Sequence, residues 1–145
     1  MIRVLFTIPN FITAGSQLEM VRLIRRLDRS RFEPVVLISR AGGREQELLD
    51  PIGVPVRVAP YWADGGTRLK RIWQSAVHGL RLRGIRGTLW HSYHYLDDYT
   101  EALTARAAGA KWWVYTKKNM SWGSRGWKWR SRLASHIIAR NRRMM

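Results

Sequence analysis

Cysteine is absent from this chain of 145 residues, which excludes disulfides and any metal site built on thiolates. It also fits a reducing, cytoplasmic setting. Acidic residues are scarce: 10 Asp and Glu stand against 26 Lys and Arg, for a formal net charge of +16. A field of that size draws polyanions, whether nucleic acid, an anionic membrane surface or a phosphorylated ligand, and does not choose among them. No run approaches the roughly 18 apolar residues of a membrane span. The N-terminus enters a strand pattern directly, without the apolar helix and cleavage site of a signal peptide. Internal repeats and low-complexity linkers are missing too. What is present is apolar material, 46% of the residues, enough for one domain with a real core.

The opening stretch organises the rest. Ile2 to Pro9 is a nearly continuous, β-branched apolar run, suited to a centre strand covered on both faces. A polar loop with one glycine, Asn10 to Gln17, leads to a helix expected from about Leu18 to Asp28. Met20, Leu23, Ile24 and Leu27 recur at core spacing there, with Arg22, Arg25, Arg26 and Arg29 on the other side. A strand that delivers a small-residue loop to a helix start presents N–H groups and a positive helix end to phosphate, which makes Gly15, Ser16 and Gln17 candidates for that contact. Any first β-α unit also needs a turn, so the loop alone decides nothing.

Further on, Phe32 to Ser39 reads as a second strand, Arg44 to Leu49 as a short helix, and Val54 to Ala59 as a third strand that Pro55 assigns to a sheet edge. After a loop over Pro60 to Thr67, Leu69, Ile72, Trp73, Ala76, Val77 and Leu80 mark a helical stripe. Thr88 to Tyr95 reads as the fourth strand with its exit loop. A helix then starts near Asp97 and Asp98 and stops at Gly109, and Lys111 to Thr116 is the fifth strand. A helix over Arg125 to Ser135 and a sixth strand over His136 to Ala139 complete the pattern. The alternation predicts an α/β fold, a Rossmann-like doubly wound parallel sheet in a single domain.

In such a sheet, ligands sit outside the carboxyl ends of the strands at the topological switch point. That expectation gathers Gly15 and Ser16 with His91 and His94, and with Lys117 and Lys118 after the fifth strand. His91 and His94 have no Cys and no clear third ligand beside them, so a zinc pair is not expected, and a packed or solvated ring is as good a reading as a ligand contact. Asp97 and Asp98 suit capping of a helix start better than carboxylate catalysis. From Lys111 onward no Asp or Glu interrupts the Lys and Arg residues, and tryptophans are interleaved among them. Trp127, Lys128, Trp129 and Arg130 suit a lipid headgroup interface, where the ring is half buried and the cation meets phosphate. Trp112 and Trp113 fit sheet core equally well.

The joint order of three motifs resembles the N-terminal domain of retaining GT-B glycosyltransferases, most closely glycosyltransferase family 4. These are Ala14-Gly15-Ser16-Gln17 opening the first helix, the strand exit His91-Ser92-Tyr93-His94, and Ala105 to Lys111 leading into a strand that ends Tyr115-Thr116-Lys117-Lys118-Asn119. The family's usual loop is Gly-Gly-Ala-Glu, from which Ala14 and Gln17 depart, and Lys118 stands where many members carry a histidine. The resemblance implies the acceptor-side half of a two-domain enzyme whose C-terminal, donor-binding domain is absent, so that residues 1–145 form a truncated half or await a partner chain. It further implies a nucleotide-sugar donor, a saccharide or lipid-linked acceptor, no metal or other cofactor, and docking at the inner face of the cytoplasmic membrane. On this reading Gly15, Ser16, Gln17 and Lys117 meet the donor diphosphate, Lys118 offsets its charge, and His91 or His94 positions the acceptor.

Two rivals stay open at this point. A nucleic-acid binder would use the charge and the tryptophans, but no recognised binding motif accompanies them and none is expected to operate. A dinucleotide-binding oxidoreductase would use the first β-α unit. It lacks Gly-x-Gly-x-x-Gly and has Ser39 and Arg40, not an acid, after the second strand.

Overall fold

The computed structural model describes residues 1–12, 14–85, 89–93 and 99–116. The helix expected over Arg125 to Ser135 and the sixth strand expected over His136 to Ala139 lie outside these residues. Five strands, β1 (Ile2–Ile8), β2 (Phe32–Ile38), β3 (Val56–Val58), β4 (Leu89–Ser92) and β5 (Trp112–Tyr115), form one sheet in the order β3-β2-β1-β4-β5. Every pairing is parallel, so the expected Rossmann-like α/β fold is the observed one. The chain turns outward in both directions from β1, which places the switch point between β1 and β4.

Alternation along β1 sorts the core into two layers. Val4, Phe6 and Ile8 join Val36 and Ile38 of β2 on one face, where helices α1 (Ala14–Arg25) and α2 (Glu45–Leu49) cover them through Met20, Val21, Ile24 and Leu49. Leu5 joins Val35, Leu37, Trp90 and Trp113 on the other face, beneath helix α4 (Thr100–Ala107) and its Ala102 and Ala105. Trp113 is thus sheet core, which removes it from the group of tryptophans read as suiting a headgroup interface.

Proline positions follow the hydrogen-bond ladder. β3 is an edge strand, as Pro55 requires, and the Pro55 carbonyl accepts from Val36 N at 3.0 Å. Pro34 lies inside β2, two residues earlier and on the same side of the strand, where β3 has not yet begun; its missing N–H therefore breaks no rung.

Three helices depart from the sequence expectation. α1 begins at Ala14, not near Leu18, because Gly15 and Ser16 occupy the first turn, where the backbone N–H groups have no intrahelical partner and helix propensity counts least. Its buried stripe is Gln17, Met20, Val21 and Ile24, and Leu23 faces outward.

Helix α3 (Arg68–Arg81) packs on α4 through Gly79, with Ser75 one turn earlier also buried, and not through most of its apolar stripe. Small residues allow the backbones to approach; of the predicted stripe, Leu69, Ile72, Trp73 and Leu80 are left exposed and Ala76 and Val77 are half-buried. Helix α4 has Tyr99 at its N-cap, with no side-chain cap bond, and Asp97 and Asp98 lie outside the described residues. Its C-terminus behaves as expected: Gly109 is left-handed at φ 87°, Gly109 N donates to Arg106 O and Ala110 N to Ala105 O, each at 3.0 Å. That pair of bonds is a Schellman stop.

Candidate functional site

The switch point puts the β1–α1 loop beside the exit of β4. Asn10 shapes the loop: its Oδ1 accepts from Ile12 N at 3.1 Å, and its carbonyl accepts from Gln17 Nε2 at 3.0 Å. Gln17 is buried and committed to that bond, so it secures the loop from the first turn of α1. Phe11 is pinned from the other side by Gly43, whose φ of 117° and contact with the Phe11 backbone leave no room for a Cβ.

Gly15 is the opposite case. It is exposed, its φ is not positive, and nothing lies within 4 Å of where a Cβ would stand. Neither packing nor backbone geometry asks for glycine there, and an open backbone is what close approach by a ligand requires. Ser16 is half-buried with only a long contact, 3.5 Å, from its Oγ to Gln17 Oε1. No acidic residue occupies the first turn, so the positive end of α1 has no countercharge within it.

His91 is the third of the four residues of β4, opposite Phe6 of β1. Its ring packs against Phe6 at 5.4 Å and Tyr93 at 4.8 Å between centroids, and its Nε2 stands 2.8 Å from Thr116 Oγ1. Burial lowers its pKa to about 4, so the ring is neutral at physiological pH. Burial likewise raises the Tyr93 phenol, against a hydrogen bond with Thr116 that lowers it and the nearby Glu19 carboxylate that raises it further. His91, Tyr93 and Thr116 thus make a neutral, hydrogen-bonded wall on the α1 side of the sheet. An uncharged wall can orient a polyol without adding a cation to it.

On the opposite face of the same strands lies a group that the sequence reading passed over. Glu101, in the first turn of α4, is fully buried. Thr7 Oγ1 at 2.5 Å and Trp90 Nε1 at 3.0 Å donate to its Oε1, and Ser92 Oγ donates to its Oε2 at 2.7 Å. One carboxyl group therefore ties β1, β4 and α4 together directly under the switch point. Three donors satisfy a group that would otherwise be costly to bury. Thr100 extends the tie, its Oγ1 accepting from Ala63 N at 3.0 Å in the loop before α3. The signal was available: Glu101, Ala105 and Ala108 fall at i, i+4 and i+7, one helix face, and the alanines are core.

Of the residues proposed from sequence, the structure brings Gly15, Ser16 and Gln17 onto the first turn of α1 and sets His91 on the adjacent strand. His94, Lys117, Lys118, Trp127, Lys128, Trp129 and Arg130 lie outside the described residues. Among the described residues no three His, Asp or Glu side chains converge as a metal site, and no helix is long and apolar enough to cross a membrane.

The fold has a counterpart among solved structures. The crystal structure of MurG from Acinetobacter baumannii superposes with a TM-score of 0.63 at 15% identity, over 92% of this chain. The chain has the fold of a GT-B half. It spans 40% of the MurG chain, and at this identity the likeness speaks for architecture alone. No protein-family model matches the sequence, and no curated protein matches it either.

Proposed function

We propose that this chain is the acceptor-side half of a GT-B glycosyltransferase, moving a sugar from a nucleotide-sugar donor to a saccharide or lipid-linked acceptor. The observation that carries this reading is the first turn of α1: an open glycine and an uncompensated helix end, held by Asn10 and Gln17 at the switch point of a GT-B-like half. Departure of a nucleoside diphosphate concentrates negative charge on the leaving oxygens, and N–H groups fixed at a helix start stabilise it without reorganising. In this scheme Gly15 and Ser16 cradle the diphosphate, Lys117 and Lys118 add their charge, and the His91–Tyr93–Thr116 wall or His94 orients the acceptor. No step calls for a metal. The likeness to glycosyltransferase family 4 favours retention of configuration and a separate donor domain, in the same polypeptide or a partner chain. On the same reading the Trp127–Arg130 run meets anionic lipid at the cytoplasmic face of the membrane.

Titration of the full chain with uridine and guanosine diphosphates, pyrophosphate and NADPH, followed by backbone amide NMR, tests the site. Shifts centred on Ala14 to Gln17 are expected with the nucleoside diphosphates. Gly15→Ala should leave folding intact, since the position is open, and should weaken the response by occupying the approach. Gly15→Asp should abolish it. Preference for NADPH, or shifts that avoid the α1 turn, would overturn the assignment.

A further inference from the structure

The buried Glu101 carboxylate grips the candidate site from behind. Thr7 and Ser92, whose hydroxyls donate to its two oxygens, are the last register pair of β1 and β4. Each faces Glu101 with its side chain and serves the wall with its main chain: Thr7 O accepts from Tyr93 N at 2.8 Å, and Ser92 O accepts from Thr116 N at 2.9 Å. Thr116 Oγ1 in turn stands 2.8 Å from His91 Nε2. On both strands, therefore, one residue separates the carboxylate from the wall of His91, Tyr93 and Thr116.

Stability alone does not call for a carboxylate here. Its neighbours on the same face, Ala102, Ala105, Leu5 and Trp113, fill the layer with apolar atoms. Burying a charge is costly even when every lone pair is met, and an apolar side chain of similar volume often serves the core as well. What three converging hydrogen bonds add is direction, because they fix where each donor stands. The α1 turn is held by other means, through Asn10 and Gln17.

We infer that Glu101 is a positioning residue of the candidate site: it locks the carboxyl ends of β1 and β4 together and so sets His91, Tyr93 and Thr116 where a saccharide hydroxyl would meet them. The inference rests on the acceptor-side reading for what the wall orients, and on the hydrogen bonds alone for what sets the wall.

Variants of the full chain separate position from stability. Glu101→Ala removes the acceptor, and Thr7→Val removes one of its donors at nearly constant shape. Glu101→Gln keeps an oxygen for Thr7 and Trp90, and its amide can donate to Ser92 Oγ, since a hydroxyl accepts as well as donates. The readout is the imidazole titration of His91 by NMR, assigned with His91→Gln. Burial holds this pKa at about 4, so a displaced wall that admits water should raise it above about 5 in Glu101→Ala, raise it less in Thr7→Val, and leave it near 4 in Glu101→Gln. Loss of a carboxylate's charge acts the other way, lowering an imidazole's pKa, so the sign of the change tells movement from electrostatics. Uridine diphosphate shifts at Ala14 to Gln17 should survive in all three variants. Leu37→Ala, a core truncation in β2, should lower the melting temperature and leave the His91 titration where it was.

A His91 pKa that stays or falls in Glu101→Ala and Thr7→Val while the melting temperature drops would make Glu101 a stabilising group only and overturn the inference. So would a rise of equal size in Leu37→Ala, a Glu101→Gln variant that behaves like Glu101→Ala, or joint loss of the wall and the α1 turn. If Glu101→Ala does not fold, Thr7→Val against Glu101→Gln makes the same comparison. A parent chain that ignores nucleoside diphosphates would end the transferase reading, and the His91 titrations would still decide what Glu101 does.

Discussion

A half-buried imidazole with a pKa of about 4 changes the stability of the fold with pH. Between about pH 4 and the ordinary value of 6.5 the unfolded chain binds a proton at His91 that the folded chain refuses, so stability rises with pH across that window. The contribution is fully present above 6.5 and is lost as pH falls toward 4; its ceiling, from the separation of the two values, is about 3 kcal/mol. Urea midpoints from pH 4.5 to 7 should therefore climb more steeply in the parent than in His91→Gln, whose amide cannot titrate. Parallel slopes would place the ring in water, not against Phe6 and Tyr93. At this scale the sequence was half legible. His91 stood out as a titratable residue at a strand exit, but nothing in its spacing told whether Thr116, twenty-five positions on, would take its Nε2. Glu101 was readable as core-facing from its helical phase with Ala105 and Ala108, but its partners Thr7, Trp90 and Ser92 on two other elements leave no mark in that spacing.

Elements were legible where one rule acts alone and misleading where two compete. The α4 stop at Gly109 and the edge position of β3 each follow from a single backbone constraint, and both were expected. α3 sets apolar periodicity against close approach, and close approach decides its orientation. A Cβ built on Gly79 meets Ala107 Cβ at 2.4 Å and Thr104 O at 2.6 Å. Helix propensity alone says Gly79→Ala should stabilise by about 1 kcal/mol. The contact says the reverse: α3 must lift from α4, at a cost of about 1–3 kcal/mol. Thermal unfolding should show destabilisation, and Ala107→Gly in the same chain should restore part of it by removing the nearest of the clashing atoms. A stabilised Gly79→Ala would mean that α3 is not seated on α4 in this way, and the outward stripe on α3 would lose its basis.

Taken whole, the sheet order could be reached from sequence because a β-α alternation with short connections leaves few parallel topologies, and β1, the most continuous apolar run, has to lie at the centre. Charge is the property that no topology explains. With +16 on 145 residues, the compact state confines cations that the unfolded chain spreads apart. The ion pairs resolved among the described residues, Arg3–Glu33 and Arg44–Glu47, are both exposed and offset little of that repulsion. Added sodium chloride should therefore raise the melting temperature between about 10 and 300 mM, as the screening length shrinks below the spacing of surface charges. The same salt should weaken adsorption to anionic vesicles, because it screens the chain's excess Lys and Arg from lipid phosphate. The two salt dependences have opposite signs, which separates self-repulsion from binding. Pyrophosphate at matched ionic strength should raise the melting temperature further than chloride does, since a ligand that binds only the folded chain adds linkage to screening. If pyrophosphate and chloride coincide, the positive charge acts as a diffuse field and the α1 turn holds no phosphate of its own.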